Sequence, residues 1–211
     1  GYRLEATSGT LAPDTSATFA ITAAAAAQLT TVAGASQTGV AGSVLATPLK
    51  VAVLDAFGNP VGGAIVRWSV VTGGGSLAAD SSITDAAGHA ATTWTLGTVA
   101  GEQSAKAAVA TLTDVVFAAT ATAGDPAVNA FTQVPTDGSV ADFLSPAPVV
   151  EVRDANGNRV TTYTGPVVLR LSEFEAIGTA LLGKTTVNAV AGVATFDSVR
   201  IEVAGAGIRL S

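Results

Sequence analysis

Period-two alternation of apolar residues, turn residues scattered along the whole length, and a turn motif that recurs after roughly 100 residues predict an all-β chain of tandem sandwich modules. The alternation is plain in Leu49, Val51 and Val53, in Val66, Trp68 and Val70, and in Val167, Leu169 and Leu171. Each set sends one face of a strand toward a core and the other toward water. Threonine and valine fill the runs between turns. Only Ala23–Ala27 offers a stretch that a helix could use, and it reads equally as an extended linker. Many short half-buried strands need two facing sheets, so the architecture expected is sandwich or barrel.

Composition sharpens this reading. Hydrophobic residues make up 48% of the 211, but aromatics only 5%, and much of the apolar share is alanine, which buries little area. Thin, numerous cores are expected. The 23 glycines follow no three-residue period, which excludes collagen and supplies turns. Charged residues are only 12%, with a net charge of -6 and no cluster of basic residues, so the footprint of a nucleic-acid-binding protein is absent. With no cysteine there is no disulfide and no thiol chemistry. Ala23–Ala27 is far too short to cross a bilayer. No signal peptide is visible, and the start at Gly1 reads as a processed or excised piece.

The repeat aligns Val51–Val61 with Val150–Val160, matching at two valines, Asp, Ala, Gly, Asn and a final Val. Downstream, Asp85–Gly88 answers to Asn188–Gly192, each followed by a small alternating strand containing Ala90 or Ala194. In this reading Asp55 and Asp154 cap their turns, Gly58, Gly157, Gly88 and Gly192 take positive φ, and Asn59 and Asn158 pin the returning strand. The expected units are a closing hairpin of a truncated domain at residues 1–22, a complete domain at 28–123, and a domain lacking its closing strands at 129–211. Residues 1–22 carry two strand candidates, Tyr2–Ala6 and Ala17–Thr22, separated by Gly9, Pro13 and Asp14. Gly207–Ser211 resembles Gly1–Glu5, so the third unit is expected to stop where closing strands begin. Either the chain continues covalently or another subunit completes it, the continuous chain being favoured.

The strings Pro48–Val61, Val66–Trp68, Gly73–Leu77, Thr84–Ala90, Thr93–Gly97 and Ala100–Gly101 together resemble the bacterial immunoglobulin-like domains of the invasin and intimin type, group 1. The third unit is similar, more loosely, to related modules of long bacterial surface proteins through Asp154–Asn158 and Gly192–Phe196. The resemblance implies tandem immunoglobulin-like sandwiches in a secreted or surface-exposed rod or fibre, and no chemistry. Its implied partners are neighbouring domains of the same long chain, or head-to-tail copies.

Residues that could be mistaken for sites read more simply as structure. Asp154–Asn158 looks like the start of a calcium loop, but the twelfth position from Asp154 is Gly165 where a glutamate is needed. Calcium at a junction, through Asp125 or Asp137, is left open. His89, the sole histidine, lies near Asp80, Ser81, Ser82 and Asp85 without a nucleophile elbow, and reads as a solvent-facing strand residue. Glu173 and Glu175 read as neighbouring surface acids, not as a glycosidase pair. Trp68 and Trp94 are expected in a core, with an exposed sugar platform as the alternative. Gly73–Gly75 lacks the lysine of a phosphate loop. The function expected is a non-enzymatic extracellular spacer, stalk or filament body without cofactors; the alternative is an adhesive module for a glycan or a host protein.

Overall fold

The computed structural model describes residues 1–110, 112–172, 180–202, 209 and 210, and every regular element among them is a strand. In chain order these are β1 (Glu5–Ala6), β2 (Asp14–Thr15), β3 (Ala26–Ala33), β4 (Ser36–Val40), β5 (Leu49–Asp55), β6 (Ile65–Thr72) and β7 (Gly75–Leu77). Then follow β8 (Ser81–Ile83), β9 (His89–Thr92), β10 (Trp94–Leu96), β11 (Gly101–Ala108), β12 (Val115–Thr122), β13 (Val128–Gln133) and β14 (Val149–Arg153). The last are β15 (Pro166–Val168), β16 (Leu171–Ser172), β17 (Leu181–Gly183), β18 (Thr186–Asn188), β19 (Val193–Thr195), β20 (Val199–Ile201) and β21 (Arg209–Leu210).

The middle region is built from a five-stranded sheet, β4-β12-β11-β6-β8, a three-stranded sheet, β3-β5-β9, and the pair β7–β10. The pairing is mixed: β4 runs parallel to β12, and the other neighbours are antiparallel. Alternation dictates what each strand buries. Leu49, Val51 and Val53 point inward from β5, Val66 and Trp68 from β6, Ala105 and Ala107 from β11, and Phe117, Ala119 and Ala121 from β12. All join one core together with Trp94 and Leu96. The small alanines of β11 and β12 leave room for the rings, and Trp68 lies 6.2 Å from Phe117, centroid to centroid, at a 43° tilt. Its indole N–H is satisfied by donating to Ser82 Oγ at 2.8 Å. The expected start of this unit, residue 28, falls inside β3, which begins two residues earlier.

A second core gathers Val150 and Val152 of β14, Val167 of β15, Leu169, Ala189, Ala194, Phe196 and Val199. Its pairings repeat those of the first. The sheet β13-β14-β19 matches β3-β5-β9, β15–β18 matches β6–β8, β17–β20 matches β7–β10, and β16–β21 matches β6–β11. β21 therefore supplies part of a first closing strand, and no counterpart of β12 occurs among the described residues. Of the expected Gly207–Ser211 match, only Arg209 and Leu210 are described.

Ahead of both cores, β1 and β2 form a hairpin, extended by a bridge between Tyr2 and Phe19. Of the expected second strand at 17–22, only Phe19 pairs, through its bridge to Tyr2; the regular pairing lies earlier, at Asp14–Thr15, and Asp14, read as a turn residue, pairs with Ala6. Proline at 13 ends the turn, and the next residue is the first free to pair. Tyr2, Leu4, Phe19 and Ile21 remain exposed.

Candidate functional site

Among the described residues, the recurring turn organises the most elaborate polar structure. Asp154 is buried and receives four hydrogen bonds. Oδ1 accepts from Asn156 N at 2.9 Å and Asn158 N at 2.8 Å; Oδ2 accepts from Asn158 Nδ2 and Gly124 N, each at 2.9 Å. The first two close the turn. The bond from Gly124 fastens the linker arriving from β12. Asp55 does the same for its own linker: Phe57 N and Asn59 N bond to Oδ1 at 2.9 and 2.8 Å, Asn59 Nδ2 to Oδ2 at 3.0 Å, and Ala24 N to Oδ2 at 2.9 Å. The linker donors precede their aspartates by 31 and 30 residues, so this contact repeats with the turn.

A buried carboxylate is tolerated when donors surround it. The Asn59 side-chain amide is the largest cause holding Asp55 down at about 2, against an ordinary 3.8; burial opposes it, and the N–H groups of Ala24, Asn59 and Phe57 help. For Asp154, burial is the largest influence and pushes its pKa up, but Asn158 and the N–H groups of Gly124, Asn158 and Asn156 outweigh it and the pKa is lowered. Asp85 is lowered chiefly by the His89 N–H. With N–H donors on both oxygens, Asp154 has little left to offer a metal ion. No group of three or more His, Cys, Asp or Glu that could hold one is gathered among the described residues.

Asn158 goes further than Asn59. Its Nδ2 donates to Thr98 O at 2.8 Å and its Oδ1 accepts from Ala100 N at 2.8 Å, both on the loop between β10 and β11. One amide side chain thus bonds both a carbonyl and an N–H of the other region's backbone. That loop is itself fixed from below. Buried Gln103 accepts from Gly97 N at 2.8 Å and donates to Gly97 O at 3.2 Å and Val99 O at 2.9 Å. Beside the clasp, Val40, the linker Ala123–Pro126 and Tyr163 line an open cleft of about 360 Å³.

The remaining candidates are placed as follows. Gly58 and Gly157 have φ of +82° and +84°, and Gly88 and Gly192 of +74° and +77°. A Cβ on Gly88 would lie 2.6 Å from Val53 O, and one on Gly192 2.5 Å from Val160 O, so these two are needed for closeness as well as conformation. Trp68 and Trp94 are buried. The Trp94 indole N–H is buried without a hydrogen-bond partner. His89 is half-buried rather than solvent-facing, Ser81 donates to Asp80, and Ser82 serves Trp68. Asp125 borders the cleft. Glu173 and Glu175 lie outside the described residues. The sequence reading missed the reach of Asp55 and Asp154 to their linkers, the Asn158 clasp and the Gln103 support.

No protein-family model matches the chain, and no curated protein matches it. Among solved structures it is similar to FdeC, an Escherichia coli adhesin, at 18% identity and a TM-score of 0.43, covering 84% of this chain and 55% of that one. It is also similar to the C-terminal 282-residue fragment of intimin, solved with the intimin-binding domain of the translocated intimin receptor. There the identity is 19%, the TM-score 0.39, and the coverage 86% of this chain and 57% of that one. A third is invasin, a bacterial integrin-binding protein, at 16% identity and a TM-score of 0.41, covering 88% of this chain and 36% of that one. The chain spans only a little over half the length of the solved FdeC chain and of the intimin fragment.

Proposed function

We propose that this chain is a segment of an extracellular bacterial surface protein, with an adhesive or structural role and no catalytic one, and that within it the two cores act as a stiff spacer. In this reading they are tandem immunoglobulin-like modules at 28–123 and 129–211, with 1–22 the closing hairpin of another module. The observation that carries it is the Asn158 clasp, which bonds one region to the other on top of the covalent linker. A free linker leaves neighbouring domains to reorient independently. Here the linker is pinned to Asp154 and the loop facing it is pinned to Gln103, so the junction is built to hold one orientation.

The second reading is an adhesive module that recognises a glycan or a host protein. FdeC is named an adhesin, invasin an integrin-binding protein, and the intimin fragment was solved with its receptor's domain. Those names side with adhesion more than with spacing. Solution scattering together with glycan and matrix-protein arrays separates the two. The spacer reading expects an elongated particle of constant shape and no saturable binding. Saturable binding, abolished by one change in an exposed loop, would replace it with the adhesive reading.

A further inference from the structure

The Asp55–Pro60 loop has every local feature of the Asp154–Arg159 loop but lacks its docked neighbour. The carboxylate bonds, the linker bond and the positive φ of the glycine are all repeated. What differs is cover. Asn158 is half-buried against Thr98 and Ala100, whereas Asn59 is exposed, its Nδ2 bonded only to Asp55. Phe57, at the position of Asn156, is 85% exposed. Asn156 itself lies close to Gly42, in the turn after β4. Ala24 is tied to Asp55 as Gly124 is tied to Asp154, so the chain that follows the β1–β2 hairpin is fastened to this loop as the chain that follows β12 is fastened to the other.

We infer that Phe57 and Asn59 form a docking face for the C-terminal pole of another sandwich of this fold. That partner offers Asn59 a backbone carbonyl and N–H spaced like those of Thr98 and Ala100, and gives Phe57 the surface that Gly42 gives Asn156. A planar amide bonding both groups sets the orientation, and burial of the phenyl ring adds apolar contact where the Asn158 junction carries the polar Asn156. This rests on the spacer reading and identifies what the spacer joins.

The test joins a second copy of residues 24–123 directly ahead of residues 24–211, so that Ala123 leads into Ala24 as it leads into Gly124. The first copy's Ala100 amide is expected to exchange about tenfold more slowly than the same amide in a chain whose second copy carries Asn59→Ala. Equal exchange in the two would overturn the inference. The Asn158 junction in the same molecule is the internal standard. If it is fixed while the new junction is free, the docking face fails and the spacer stands; if both are free, the spacer reading fails first. A second variant needs no extra copy: Asn156→Phe in the 1–211 chain places the Phe57 pattern at the known junction. The Ala100 amide should keep its protection, and its loss would show that this pattern cannot dock on such a pole.

Discussion

The two cores share a scaffold and differ in what fills it. Leu45 N bonds to Trp94 O at 2.9 Å, and Leu144 N bonds to Val199 O at 2.8 Å, so Val199 stands where Trp94 does. The registers Val66↔Ser82 and Val167↔Val187 likewise put Leu169 where Trp68 stands. The second core recovers an aromatic elsewhere: Phe196 is buried at the position of Thr92, two residues beyond Ala194 as Thr92 is two beyond Ala90. Ala105, Ala107, Phe117, Ala119 and Ala121 line the first core from its closing strands, and β21 is the only closing strand described in the second. Backbone pairing and the turn motif are therefore what repeats, while core volume moves from strand to strand.

Trp94→Ala should have the largest effect. It should cost about 3–5 kcal/mol, whereas Val199→Ala at the same place should cost roughly 2 kcal/mol, because far fewer atoms leave the core. Both tryptophans belong to the first core, so their fluorescence in denaturant follows that region alone, and methyl signals follow the second. Equal shifts from the two changes would mean that side-chain volume does not set the cost at this place in the fold.

The turns should behave alike where the cores do not. Gly58→Val and Gly157→Val should each cost about 1–2 kcal/mol through left-handed strain, since neither new Cβ meets another atom within 4 Å. Gly88→Ala and Gly192→Ala should cost more, because there a carbonyl oxygen blocks the methyl group. Thermal unfolding of the four variants checks the ranking.

Acid separates the same turns by charge. Asp55 is lowered in the folded chain, so its contribution is present above an ordinary carboxylate pKa of 3.8 and is lost as pH falls toward about 2. Asn59→Ala removes the largest cause and should move the Asp55 titration upward, bringing acid loss to higher pH. Carboxyl carbon shifts followed by NMR read this directly. The smallest effect belongs to an ion pair: half-buried Glu151, 2.9 Å from the more exposed Arg153 and 3.7 Å from Arg159, should change stability by about 1 kcal/mol or less as Glu151→Gln, and by less still at high salt.

Strand faces were legible because parity is local: Val66 and Trp68 bury the face their spacing marks, as do Val167 and Leu169. The turns were legible because Asp, Gly and Asn act within five residues of one another. The clasp was not. Asn59 and Asn158 have the same letter in the same motif, yet one is exposed and the other bonds 58 and 60 residues back along the chain. Ala24 and Gly124 contribute backbone N–H groups, which every residue but proline has, so no side chain announces them. Asp14 was misread because aspartate after proline favours a turn, and pairing with Ala6 overrode that local preference.

In the proposed spacer, Asn158 fixes the orientation of the two regions. Residual dipolar couplings on the 1–211 chain, fitted separately to the residues around each core, measure that orientation directly. One alignment tensor should describe both regions in the wild type, and Asn158→Ala should split it into two of different magnitude while each core's own couplings still fit. Two tensors in the wild type, or a single one that survives Asn158→Ala unchanged, would show that Asn158 does not hold the junction.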